Sequence, residues 1–370
     1  MKKFFAFCAC ALALACNAPT YQLIPREAFQ GEAEGVPIDL YTLKNKNMAV
    51  QITNFGARVV SIYTPDRNGK YTDIMVGHDN LEAYLHPVGQ RFLGAIVGPV
   101  ANRISHAAFQ VEGEIWHTDA NDNGLNTLHG GFKGLDMRTW TVESATDTSL
   151  VLSLFCPNGE GGFPGNRNLR VCYSLSRADF KVEISGTSNK LTPLNMTFHP
   201  FFCLQGEGEG FVEEYNLFIH ASAYTPIDSM NLPTGEIAPV EGTPFDFRAP
   251  RRIGYSIRED EQQLRLGHGY DHNWCLDGEG LRSVCEIQDP VTGRTVEVIT
   301  DQKGLQFYSG NFFDGTEKGK NGKPLPFRSA FTLEAQAWPD AMNHPKFPSI
   351  LLMPSQPYHS TTIYRFGVME

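Results

Sequence analysis

Short runs in which apolar and polar residues alternate dominate the chain. They fall at residues 48–53, 58–63, 140–143, 149–155, 169–175, 180–185, 283–288 and 295–300. A period of two places successive side chains on opposite faces, which predicts strands with one face on a core and the other towards water. Asn54-Phe55-Gly56 separates the first two runs, and residues 289–293, Asp-Pro-Val-Thr-Gly, read as a hairpin loop joining the last two. Helical periodicity is scarce and is confined to a turn or two at 79–84 and 338–342. The pattern predicts an all-β protein of stacked antiparallel sheets with few short helices. With no repeat and no shift in composition, residues 31–370 read as a single domain, one large β-sandwich.

Composition narrows the picture. The 370 residues include 35 Gly and 23 Pro, which suit many strands joined by turns. The formal net charge is -10, without a cluster of Lys or Arg, so the chain lacks the positive surface that a nucleic-acid partner requires. Met1-Lys2-Lys3 followed by an apolar stretch from Phe4 to Ala15 has the form of an export signal too short to span a bilayer. Its end, Leu14-Ala15-Cys16, resembles a bacterial lipobox, although Ala13 stands where Leu is usual. Residues 1–16 are therefore expected to be a signal peptide of lipoprotein type and 17–30 a tether. The expected location is outside the cytoplasm of a bacterium, periplasmic or anchored to the outer membrane by lipidated Cys16; a simply cleaved signal is the alternative. Beyond Cys16 lie Cys156, Cys172, Cys203, Cys275 and Cys285, an odd number set in apolar runs and read as buried thiols. A Cys275–Cys285 bridge across a hairpin is the minor alternative.

Four segments carry polar groups that plain strands do not need. Asn102 and Arg103 sit between apolar residues, and His129 precedes Gly130-Gly131, which permit close backbone approach to a ligand. His199 lies in the apolar run Asn195-Met196-Thr197-Phe198-His199-Pro200-Phe201-Phe202, and Glu334 stands between Leu333 and Ala335. Taken singly, His199 could be a satisfied core histidine, and the His129 segment a turn. Glu334 is the stronger signal, because burying a carboxylate is costly without a partner or a purpose. His268 and His272 are four apart, but the Gly-Tyr-Asp between them does not suggest a helix. With no HExxH and no paired CxxC, no metal is expected. The absence of GxGxxG after a strand, of a Walker loop and of GxSxG argues against a nucleotide cofactor or a serine hydrolase, so no cofactor is expected.

Together these segments resemble the aldose 1-epimerase (galactose mutarotase) family. The resemblance rests on Asn102-Arg103-Ile104, Leu128-His129-Gly130-Gly131, the run Asn195 to His199, Tyr270 to Trp274, Leu305 to Gly315 and Leu333 to Pro345, in that order. It covers residues from about 30 to the end. It implies a large antiparallel β-supersandwich with an open cleft on one sheet, acting on free aldohexoses such as glucose and galactose. By the same resemblance His199 is the general acid, Glu334 the general base, and Asn102, Arg103, His129, Asp271 and Gln306 hold the sugar. Pro99 departs from the family pattern, which commonly has Arg there, and puts the local loop shape and sugar preference in question.

The residue types suit that chemistry. Opening a pyranose needs a proton taken from the anomeric hydroxyl and another delivered to the ring oxygen. A carboxylate and an imidazolium can do both, provided Glu334 is ionised while His199 is protonated. Ordinary values of roughly 4.3 and 6.5 nearly allow this, and Asp271 is expected to raise the histidine further. Trp274 or Phe307 would offer a face to the sugar's C–H surface. The alternatives are a hexose-6-phosphate 1-epimerase, which would need extra basic residues in the cleft, and a non-catalytic sugar-binding lipoprotein. A glycoside hydrolase would usually want two carboxylates at one site.

Overall fold

In the computed structural model, which describes residues 21–369, alternation becomes two facing layers. One is a nine-stranded sheet running, in spatial order, Thr141–Ala145, Ser149–Cys156, Arg167–Ser176, Asp179–Ser188, Tyr358–Val368, Arg294–Thr300, Arg282–Gln288, Asn216–Ile219 and Arg251–Arg252. Its neighbours pair antiparallel. Along Arg167–Ser176 every second residue from Arg167 is buried, and Asp179–Ser188 repeats the pattern out of phase. The 289–293 loop joins two paired strands of this sheet as expected.

The opposing layer is assembled from smaller pieces. Leu40–Lys44, Ala49–Thr53, Arg58–Pro65 and Tyr71–Asp73 form a four-stranded sheet. Ala238–Pro239, Ala221–Thr225, Asp271–Leu276, Gly304–Tyr308 and Thr332–Gln336 form a five-stranded one. Phe202 stitches them together by bridging to Met75 on one side and Phe331 on the other. The main core lies between the layers. Tyr364 of the nine-stranded sheet packs on Phe198 and Phe202, and its hydroxyl donates to the Leu333 carbonyl at 2.9 Å. Among the described residues, helix is limited to Glu82–Leu85, Gln262–Leu266 and several single 3-10 turns. Residues 338–342 form turns instead of the expected helix.

One expectation is corrected here, and one alternative falls. From Tyr21 onward the expected tether packs on the body: Ile24 exchanges two backbone hydrogen bonds with the Gln51 amide, and Phe29 is buried. Residues 1–20, which hold the export signal and Cys16, lie outside the described residues. Cys275 and Cys285 do not face each other, because their strands belong to different sheets; Cys275 pairs with Gly304 and Cys285 with Val298. All five described cysteines are free thiols.

Candidate active site

The five-stranded sheet has one apolar and one polar face. Leu333, Ala335, Leu305, Phe307 and Trp274 point to the core, so the alternate residues point away from it. Across three strands those alternates are Thr332, Glu334 and Gln336, then Tyr308, Gln306 and Gly304, then Asp271 and Asn273. Gln306 is the cross-strand partner of both Glu334 and Asn273. Nearly all of these residues are buried, because loops cover the polar face as the core covers the other.

His199 arrives from a separate segment. Thr197–Phe198 pairs with Ile96–Val97, and Phe198 turns into the core against Phe180 and Tyr364. The next residue is thereby sent to the other side. Its backbone is fixed by the Ala95 carbonyl at 2.9 Å and the Gly94 amide at 3.0 Å. The Thr197 hydroxyl donates to the Ala335 carbonyl at 2.8 Å, tying this segment to the strand of Glu334. His199 Nε2 consequently lies 3.4 Å from Glu334 Oε1, with both side chains almost fully buried.

A third edge comes from the loops at 98–103 and 128–134. Asn102 and His129 both adopt left-handed backbone (φ 58° and 51°) and clasp each other. The Asn102 amide donates to His129 Nδ1 at 3.2 Å, and the His129 amide donates to the Asn102 carbonyl at 2.9 Å. Gly130 at φ 90° lies so close to Gly98 that a Cβ would stand 1.9 Å from the Gly98 oxygen. The double glycine thus serves chain against chain, where the sequence suggested approach to a ligand. Pro99 follows Gly98 through a cis peptide, and its carbonyl accepts from the Asn195 amide at 2.8 Å. The His129 ring stands edge-on to His199 with centroids 4.9 Å apart.

The remaining expected residues also converge. Gln306 Nε2 donates to Asp271 Oδ1 at 2.7 Å, which orients the amide, and Gln306 Oε1 is buried without a hydrogen-bond partner in the protein. Arg103 Nε donates to Asp122 Oδ2 at 2.9 Å, and its charge pulls the proton affinities of Asp271 and Glu334 down. Trp274 and Phe307, expected to face a sugar, are fully buried on the core side. The ring that borders the pair is Phe92, 4.6 Å from His129 and 6.0 Å from His199. Sequence reasoning also passed over Arg91. Its guanidinium is paired with Asp136 and donates to the Gly131 carbonyl at 3.1 Å, clamping the double-glycine loop.

Burial sets the protonation of the pair. It pushes Glu334 up to about 8, raised further by the charge of Asp271 and opposed by the Thr332 hydrogen bond and Arg103. It pushes His199 down to about 3, helped by the positive charge of Arg58. The expectation of Glu334 ionised and His199 protonated at ordinary values is therefore corrected for the free protein. Both groups favour their neutral forms, and Asp271, engaged with Gln306, does not lift the histidine. His129 is likewise held well below the usual imidazole range, first by burial and then by the charges of His199, Arg103 and Arg91.

His129, His199 and Glu334 offer ligand atoms within 4.8 Å of one another, a spacing a cation could use. The donor set does not fit one. Because Nδ1 of neutral His129 accepts from the Asn102 amide, its hydrogen is on Nε2, and neither nitrogen keeps a lone pair for a metal. That tautomer instead presents an N–H donor, suited to a sugar hydroxyl.

A profile described as aldose 1-epimerase matches residues 39–365. The chain is 40% identical to galactose mutarotase of Rattus norvegicus over 335 residues, covering 90% of this chain and 95% of that one. It is 34% identical to aldose 1-epimerase of Escherichia coli K12 over 340 residues, covering 90% and 96%. Among solved structures, the GalM/aldose epimerase homologue from C. elegans superposes with a TM-score of 0.82 at 26% identity, covering 90% of this chain and 99% of that one. Galactose 1-epimerase from Lactobacillus acidophilus gives 0.80 at 29% identity, covering 92% and 98%. The chain belongs to the aldose 1-epimerase family, and its fold is the galactose mutarotase-like β-supersandwich.

Proposed function

We propose that the protein interconverts the α and β anomers of free aldohexoses, with Glu334 as general base and His199 as general acid. The observation that carries this reading is the approach of His199 Nε2 to within 3.4 Å of Glu334 Oε1 in a buried site rimmed by polar side chains. Glu334 takes the proton of the anomeric hydroxyl while His199 gives one to the ring oxygen. The C1–O5 bond breaks, the aldehyde forms, and rotation about C1–C2 followed by the reverse transfers closes the other anomer. Proton count is conserved and no cofactor is consumed.

The electrostatics favour the difficult step. Before ring opening the pair is carboxylate and imidazolium; afterwards it is carboxylic acid and neutral imidazole. A site that penalises both charges therefore drives the protons in the direction of opening. The two starting forms of the pair hold the same single proton, so reaching the charged form needs only its transfer from Glu334 to His199. An anomeric hydroxyl donating to the carboxylate stabilises that form. Gln306, His129, Asn102, Arg103 and Asp271 bind the sugar's hydroxyls in this reading.

Neutral sugars suit the cleft better than sugar phosphates, because Arg91 and Arg103 are each already paired with a carboxylate. Polarimetry of freshly dissolved α-glucose, α-galactose and α-glucose 6-phosphate tests this. Acceleration is expected with the free sugars; a preference for the phosphate would contradict it. The amino-terminal pattern supports export with a lipid on Cys16. Radiolabelled palmitate incorporated by the unaltered chain and lost in Cys16→Ser is the expected result, and equal labelling of both would refute it.

A further inference from the structure

We propose that Thr332 is the positioning residue that selects and holds the reacting oxygen of Glu334; this rests on the reading of Glu334 as base. Thr332 and Glu334 are two apart on one strand, so both side chains stand on the polar face of the sheet. The Thr332 hydroxyl donates to Glu334 Oε1 at 2.8 Å. That same oxygen is the one 3.4 Å from His199 Nε2. Oε2, by contrast, is enclosed by protein and has no hydrogen-bond partner. The carboxyl is thus asymmetric: one oxygen faces the acid and is held, and the other is shut away. A carboxyl group turns freely about its terminal bond unless something fixes it. Among the described residues, Thr332 is the protein group whose hydrogen bond does so.

Two consequences distinguish this role from packing. The hydroxyl supplies a hydrogen bond to the charged form of the carboxyl, so its removal raises the pH at which Glu334 gives up its proton. Other charged or titratable groups act on Glu334 from each side. His199 comes from the 197–199 segment, His129 and Arg103 from the loops, Asp271 from two strands away, and Tyr364 from beneath the sheet. None of these is altered by a change at Thr332. The hydroxyl also leaves sugar-holding groups untouched, so its loss acts on turnover and spares binding.

The test compares Thr332→Val, Thr332→Ser and the unaltered protein by polarimetry across pH, with Tm and circular dichroism as fold controls. Thr332→Val keeps the side-chain shape and removes the donor. It is expected to lower kcat by about tenfold or more with KM for galactose little changed. The alkaline fall of kcat/KM should move to higher pH by about half a unit or more. Thr332→Ser, which restores the hydroxyl, is expected to recover most of kcat and the original alkaline limb. A Val variant with full kcat and an unmoved limb overturns the proposal, as does loss of kcat in Ser equal to that in Val. Where Val does not fold, Ser and Thr332→Ala carry the same comparison: Ser near normal and Ala impaired with a raised limb supports it, and Ala equal to Ser overturns it. Retained activity in Glu334→Gln would instead sink the reading of Glu334 as base, independently of any result at Thr332.

Discussion

His199 Nε2 and Glu334 Oε1, from segments 135 positions apart in the chain, meet at 3.4 Å inside a buried cleft. Each is delivered by a neighbour that faces the other way. Phe198 anchors one segment in the core, Leu333 and Ala335 anchor the other, and the Thr197 hydroxyl joins the two strands. The meeting is built from alternation, and its chemistry follows from burial.

The first prediction concerns pH. The working pair holds one proton, and Glu334, pushed up to about 8, is the group that loses it first on the alkaline side. The kcat/KM profile should be flat through neutrality and fall above about pH 8. On the acid side, His199 is held down to about 3, so a second proton joins only at strongly acid pH. Initial-rate polarimetry corrected for spontaneous mutarotation reads this directly. A profile rising steadily from pH 6 to 9 would oppose the assignment.

The second concerns stability. Between an ordinary carboxylate value of 4.5 and about 8, the unfolded chain has released a proton that folded Glu334 keeps. Stability therefore falls as pH rises through that window. Glu334→Gln has no such proton to lose and should be more stable than the unaltered protein by at least about 1 kcal/mol at pH 8. The gap should narrow towards pH 5. Thermal melts of both proteins at several pH values check it.

Gln306 provides the third. Its amide is oriented by Asp271 through the 2.7 Å bond from Nε2. Asp271→Asn replaces a charged acceptor with an amide that can present either end. The expected result is a rise in KM for galactose of about tenfold, since a hydrogen bond to a charged group is worth roughly 1.5–3 kcal/mol. Unchanged KM would mean that Gln306 does not read the substrate.

A fourth lies in the loop. Gly130→Ala would place a Cβ 1.9 Å from the Gly98 oxygen at a backbone angle that L side chains rarely adopt. Destabilisation by at least about 2 kcal/mol is expected, measured as loss of Tm.

Much of this was legible in the sequence, for a definite reason. Strands with one face in the core and one in water, such as Arg167–Ser176, announce themselves by alternation. Glu334 and His199 stood out in the sequence because a carboxylate or an imidazole among apolar residues is a local conflict, and the fold brings the two together. Strands buried on both faces hide the difference between core and cleft, so Trp274 and Phe307 were read as facing the sugar when they face the core. Thr332 was invisible because a threonine in a strand is ordinary until its hydrogen bond to the buried carboxyl two residues on is seen. Protonation was misjudged because ordinary values ignore burial, which only the packed fold reveals. The cysteines were read as free thiols from their odd number and apolar runs, and all five described ones are; the minor alternative of a 275–285 bridge falls because nearness in sequence says nothing of which sheet each strand joins.

The decisive measurement is the polarimetric mutarotation rate of α-galactose with the unaltered protein, Glu334→Gln and His199→Asn, each shown folded by circular dichroism. With acid and base on one hemiacetal, each variant should lose at least about 10²-fold in kcat. Either variant turning over at the unaltered rate would contradict the pairing of these two residues as the proton-transfer machinery.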